Sequence, residues 1–114
     1  MRLTASFTQK NGMFISCKVK GHAEYTEEDP RGQILCAAVS SAVQLTCNTL
    51  TECFGAAVTI TEQPSASAQN TLGFRLDAPD PVQSELLHGL LIHMQALAED
   101  FDGMLSVKLK KCKA

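Results

Sequence analysis

No sustained apolar run opens this 114-residue chain. Met1-Arg2-Leu3-Thr4-Ala5-Ser6-Phe7 passes directly into the polar Thr8-Gln9-Lys10-Asn11-Gly12, so no secretory leader is expected. Nothing in the pattern approaches the roughly 20 apolar residues of a membrane span, and a cytoplasmic protein without membrane association is expected. The five cysteines are odd in number and contain no Cys-x-x-Cys pair, which argues against a disulfide framework and against structural zinc. In a reducing compartment they are expected as free thiols, and neither metal nor cofactor is implied. The formal net charge of -2 offers no general attraction to phosphate backbones. The one basic cluster, Lys108-Lys110-Lys111-Lys113, reads as the wet face of an edge strand whose lysines block unwanted pairing. Direct nucleic-acid binding is therefore not expected. No internal repeat breaks the chain, and a hydrophobic content of 45% fits a single domain over residues 1–114 with its own core.

The elements follow from periodicity and punctuation. Residues 2–9 and 13–20 alternate as short strands around Lys10-Asn11-Gly12, and Asn-Gly between two such runs is a strong hairpin signal. In the second run Met13, Ile15, Cys17 and Val19 form the more apolar face and are expected to point at the core, with Phe14, Ser16, Lys18 and Lys20 outward. Residues 21–32 form an acidic, glycine-bounded loop of about twelve residues, a length usually associated with function or mobility. From Gln33 to Cys53 the pattern is helical, with Ile34, Leu35, Ala38, Val39, Ala42, Val43, Leu45 and Leu50 giving a broad apolar surface and Gly55 marking the end.

Ala56-Val58-Ile60 and Leu72-Phe74-Leu76 alternate as strands joined by the polar residues 64–70. Asp80 then offers an N-cap, Pro81 suits the first helical position, and Gln83 completes a capping-box-like arrangement. Val82, Leu86, Leu90, Met94, Leu97 and Phe101 follow at helical spacing, widened by Leu87, Leu91 and Ala98. Asp102-Gly103 ends this helix, and Met104–Leu109 reads as a last strand. The order β-β-α-β-β-α-β predicts an α/β (α+β) sandwich: two helices on a mostly antiparallel sheet.

Two residues stand out chemically. His22 closes the second strand-like run at Gly21-His22-Ala23, and Cys36 falls in the first turn of the predicted helix. Helix N-termini and nearby imidazoles both lower a thiol's pKa, so the pair outlines a cysteine nucleophile with its base. The other cysteines, Cys17, Cys47, Cys53 and Cys112, read as small core hydrophobes. Cys47 lies eleven residues beyond Cys36, roughly 16 Å along a helix, too far for a shared metal or a disulfide. His88 and His93 are about 140° apart around their helix, poor for joint ligation. His88 is expected on the polar side and His93 at the margin of the apolar stripe, both as structural or surface residues. The acidic residues Glu24, Glu27, Glu28 and Asp29 read as a solvated turn, or as an electrostatic lure for a basic peptide beside Cys36.

Gly21-His22-Ala23 and Cys36-Ala37-Ala38-Val39-Ser40, in that order within this layout, resemble the bacterial ribosomal-processing cysteine protease family, Prp. The resemblance implies a homodimeric endopeptidase of ribosome maturation. Its task would be to remove the N-terminal extension of a large-subunit ribosomal protein, whose precursor is the peptide substrate. It also implies that His22 and Cys36 are the catalytic pair, with Gly21, Gln33, Ala37 and Ser40 in binding or supporting positions. The family commonly carries an Asp three residues before the nucleophile; here that residue is Gln33, which orients by hydrogen bonding but contributes less charge. The oxyanion is expected on backbone amides around Ala37 and Ala38. The alternative is a weak or inactive ribosome- or peptide-binding module of the same fold, which Gln33 favours. A different thiol chemistry, such as acyl or redox transfer, fits the same pair.

Overall fold

The computed structural model describes residues 3–21, 29–62 and 72–112. Five strands and two long helices follow in the expected order: β1 (Leu3–Lys10), β2 (Met13–Lys20), α1 (Arg31–Asn48), β3 (Val58–Glu62), β4 (Leu72–Leu76), α2 (Pro81–Asp100) and β5 (Leu105–Cys112). They build one sheet in the order β3-β4-β2-β1-β5. All pairs are antiparallel except β1 with β5, which run parallel. The helices cover the face that carries Ala5, Phe7, Cys17, Val19, Phe74 and Leu76, and Leu35, Leu50, Leu87 and Met94 complete the buried core.

The β1–β2 turn forms as its residues dictate. Asn11 and Gly12 have φ of 54° and 79°, the left-handed pair that a two-residue hairpin requires. The facing of β2 departs from simple alternation. Its register with β1 shifts after Thr8, so that Gln9 faces Phe14 where Thr8 faces Ser16. One extra residue on a strand reverses the parity beyond it. Phe14 therefore turns into the core beside Cys17 and Val19, while Met13 and Ile15 are only half-buried. The expectation that Met13 and Ile15 face the core is corrected by this bulge. The Phe14 N–H donates to the buried Ser84 Oγ on α2 at 2.9 Å.

That bond also sets the rotation of α2. Asp80 caps the helix, accepting from the Gln83 N–H at 2.8 Å, with Pro81 at the first position. The sheet-facing stripe is Ser84, Leu87, Leu90, Leu91 and Met94, whereas Val82, expected to lead it, is 54% exposed. In the first turn a hydroxyl, rather than an isopropyl group, meets the sheet because a bulge N–H needs an acceptor there. His88, expected on the polar side, stacks its ring on Phe14 (centroids 5.4 Å apart, planes 15° apart).

Helix α1 begins at Arg31, two residues earlier than expected, and continues through a π-helical turn at Thr49–Cys53. Gly55, at φ 64°, reverses the chain after it. Leu35, Val39, Val43 and Leu50 are buried, but the expected broad apolar surface is only partly covered: Ile34 is 54% and Leu45 68% exposed. The continuous helix Arg31–Cys53 has 23 residues, and its most apolar 18-residue stretch has a mean hydropathy of 1.3, long and apolar enough by those measures alone to cross a membrane. This corrects the expectation that no segment approaches a span. Only Arg31 and Glu52 interrupt it with charge, because one side packs on the sheet and the other carries small residues. The last strand reaches Cys112, three residues past the expected Leu109, and lies at the sheet edge.

Candidate active site

Cys36 is half-buried and faces a small cleft of ≈ 20 Å³ shared with Leu3, Val19, Val39, Ser40 and Leu72. Three strand ends meet there: the start of β1, the last turn inward of β2, and the start of β4. Cys36 and Ser40 are one helical turn apart and share a face, which is why both line the cleft. Val19 lies two residues before Gly21, whose φ of 90° turns the chain away from β2; a side chain there would strain that backbone. The chain then enters His22, which lies outside the described residues, as do Glu24, Glu27 and Glu28 of the acidic loop.

The start of α1 decides which amides are available. With Arg31 as the first helical residue, Cys36 stands in the second turn, not the first. The Ala37 and Ala38 N–H groups are inside the ladder, directed at the carbonyls of Gln33 and Ile34. They cannot serve as an oxyanion hole, which corrects that expectation; Ala37 itself is exposed and does not line the cleft. The Ile34 N–H closes on the Pro30 carbonyl at 3.1 Å. The helix therefore leaves the N–H groups of Gly32 and Gln33 without intrahelical acceptors. A helical side chain leans toward the preceding turn, the turn that holds these two residues. The sequence signal for this start is Asp29-Pro30-Arg31. The Asp29 carboxylate accepts from the Arg31 N–H at 3.3 Å and from Arg31 Nε and Nη2 at 2.9 Å each. The Arg31 guanidinium holds that carboxyl below its usual range. Gln33, exposed in the first turn, sits one turn ahead of Cys36.

The remaining thiols differ from one another. Cys17 is fully buried in the core, and burial pushes its pKa up to about 12. Cys47 is half-buried with its pKa raised by the same cause. Cys112 is half-buried as well, and Cys53 is exposed, which corrects the expectation that it is a core residue: the π-helical turn directs it away from the sheet. Among the described residues no group of three or more His, Cys, Asp or Glu side chains could hold a metal ion. Leu3 and Leu72, two walls of the cleft, carry no sequence signal for that role, because only strand order brings them beside Cys36.

The family model of the cysteine protease Prp matches residues 3–106. No curated protein matches the sequence significantly. Among solved structures, the fold is similar to SMU.848 from Streptococcus mutans, with a TM-score of 0.82 and 22% identity over 97% of this chain and 96% of that one. It is also similar to the essential ribosomal processing protease Prp from S. aureus. The structure of that protease with a substrate peptide gives a TM-score of 0.78 at 17% identity. The structure with a covalently linked product peptide gives 0.75 at 18%; each comparison covers 95% of this chain and 99% of that one. With its thiol-lined cleft, its two-helix sandwich and a family match over nearly its whole length, this chain belongs to the cysteine protease Prp family.

Proposed function

We propose that this chain is a cytoplasmic thiol endopeptidase that removes the N-terminal extension of a large-subunit ribosomal protein, with Cys36 as nucleophile and His22 as its base. The observation that carries the proposal is the position of Cys36. It is half-buried in a cleft walled by Val19 and Leu72, at the sheet end where β2 runs through Gly21 into His22. The likeness to the S. aureus ribosomal processing protease supports the substrate class, and the peptide covalently linked to it supports a covalent route.

In this mechanism His22 takes the Cys36 proton and the sulfur attacks the scissile carbonyl carbon. The Gly32 and Gln33 N–H groups, which have no acceptor within the helix, lie one turn ahead of Cys36 and would hold the developing oxyanion. As the C–N bond breaks, His22 returns the proton to the departing amine. Water then cleaves the thioester and restores the thiol. Gln33 would orient its neighbours through its amide, and Ser40 would contribute a hydroxyl at the rim of the cleft.

We place the homodimer contact on the groove of ≈ 490 Å³ between α1 and α2, lined by Ala38, Ala42, Leu45, Leu86 and Leu90 among others. A second copy is the occupant that would cover the exposed Leu45 and Ile34. Sedimentation of Leu45→Glu checks this, with a monomer expected where the wild type is a dimer.

The activity is tested by incubating the protein, and Cys36→Ala, with the host's precursor of that ribosomal protein, followed by intact mass. Loss of a defined N-terminal fragment with the wild type alone supports the proposal. Equal cleavage by Cys36→Ala rules out the mechanism.

A further inference from the structure

The face of the sheet turned away from the helices carries a charge pattern that the net charge conceals. Register places its outward side chains in rows across the strands. One row runs Met13, Lys10, Cys112; the next runs Thr59, Arg75, Ser16, Thr8, Lys110; the third runs Glu62, Gly73, Lys18, Ser6, Lys108; the last runs Lys20, Thr4, Ser106. Six of the chain's ten lysines and arginines thus share one face: Lys10, Lys18, Lys20, Arg75, Lys108 and Lys110. Arg75, Lys20, Lys108 and Lys110 are exposed. Acid enters this face at its β3 end: Glu62 stands opposite Gly73 by register, and Asp77 at the margin lies 3.8 Å from Arg75 and accepts from the Thr59 hydroxyl at 2.6 Å. The other described acids lie on or beside the helices: Asp29, Glu52, Asp80, Glu85, Glu99, Asp100 and Asp102.

We propose that this face binds the phosphodiester backbone of duplex RNA. The lysines of β2 and those of β5 form two columns about 10 Å apart, two strand spacings, with the hydroxyls of Thr4, Ser6 and Thr8 between them on β1. Lysines neutralise phosphates. A hydroxyl donates and accepts, the capacity needed to meet a 2′-OH across the wide minor groove of an A-form helix. The rows contain no aromatic side chain, so the stacking platform that single-stranded RNA requires is missing among the described outward residues. Lys20 directly follows Val19, which walls the Cys36 cleft, so the basic face runs up to the sheet end where the thiol opens. The RNA inference stands apart from the proteolytic reading, because the two use different surfaces.

The test is fluorescence anisotropy of a labelled RNA duplex of about 16 base pairs with the full chain, across a salt series from about 50 mM. Lys18 is engaged by another group, so the variant used is Lys20→Gln/Lys108→Gln/Lys110→Gln. Wild type and Cys36→Ala are expected to bind alike. The triple variant is expected to bind at least about tenfold more weakly, with the slope of log K against log salt lower by about one for each lysine removed. Lys111→Gln, on the opposite side of β5 by register, is expected to bind as the wild type. All three variants should cleave peptide like their parents, apart from Cys36→Ala. Absence of binding at low salt overturns the proposal, as does binding that the triple variant leaves unchanged. Equal affinity for polyglutamic acid or for a DNA duplex overturns the choice of partner. A changed sedimentation mass in the triple variant overturns it too, by assigning the face to a second copy.

Discussion

The main-chain N–H of Phe14 and the hydroxyl of Ser84 meet at 2.9 Å across 70 residues of sequence, inside the core. Beside the bulge in β2, a single side-chain oxygen on α2 accepts that N–H. The same contact fixes how α2 is rotated over the sheet, and with it which leucines are buried.

Ser84→Ala is expected to destabilise the fold by about 1–3 kcal/mol, because it leaves a buried donor without a partner. For a chain of this size each kcal/mol corresponds to roughly 4–8 °C in Tm. Thermal unfolding followed by circular dichroism checks the value, and peptide cleavage below the transition should be unchanged.

The thiols should separate by reactivity in the native state. Cys53 is exposed and should be alkylated readily, whereas Cys17, fully buried, should stay unmodified until the protein unfolds. Peptide mapping after iodoacetamide treatment distinguishes them. Cys36→Ser should fold normally, since Cys36 is only half-buried, while losing turnover; a substitution that retained full activity would remove Cys36 from the mechanism.

Cys17 also predicts a pH dependence of stability. Burial holds its folded pKa at about 12, above the ordinary thiol value of 9.0. The unfolded chain therefore loses the thiol proton first as pH rises. Stability from this group is complete below about pH 9 and declines as pH climbs toward 12, by at most about 1.4 kcal/mol per pH unit. Urea unfolding at pH 8 and pH 10 for the wild type and Cys17→Ala checks it. The variant should start less stable, because it leaves a core cavity, but lose less between the two pH values.

Gly73→Ala should be poorly tolerated. A Cβ there would stand 2.9 Å from Thr61 Oγ1, 3.0 Å from the Cys17 carbonyl oxygen and 3.3 Å from Lys18 Cα. A penalty of about 1–3 kcal/mol is expected, read as a lower urea midpoint. Adding Thr61→Ala should restore only part of it, because the Cys17 and Lys18 contacts are with backbone.

What the sequence by itself determined is local. Asn11-Gly12 specified the hairpin, because few residues other than glycine and asparagine accept two positive φ angles in succession. Asp80-Pro81 specified the start of α2 through its cap, and the alternation of periods fixed the order of strands and helices. Cys36 was legible as a helical thiol beside a glycine-bounded loop. The tertiary structure decided everything that depends on register. A bulge reversed the facing of Phe14 and Ile15, which no alternation pattern records. The Asp29 carboxylate, accepting from the Arg31 N–H, accompanies a helix start at Arg31 that puts Cys36 in the second turn and leaves the Gly32 and Gln33 amides without intrahelical acceptors. Strand order set Leu3 and Leu72 beside Cys36, and placed β1 between the lysines of β2 and β5. Side-chain periodicity is a property of one segment, whereas a cleft or a charged face is a sum over segments whose adjacency only the packed sheet fixes.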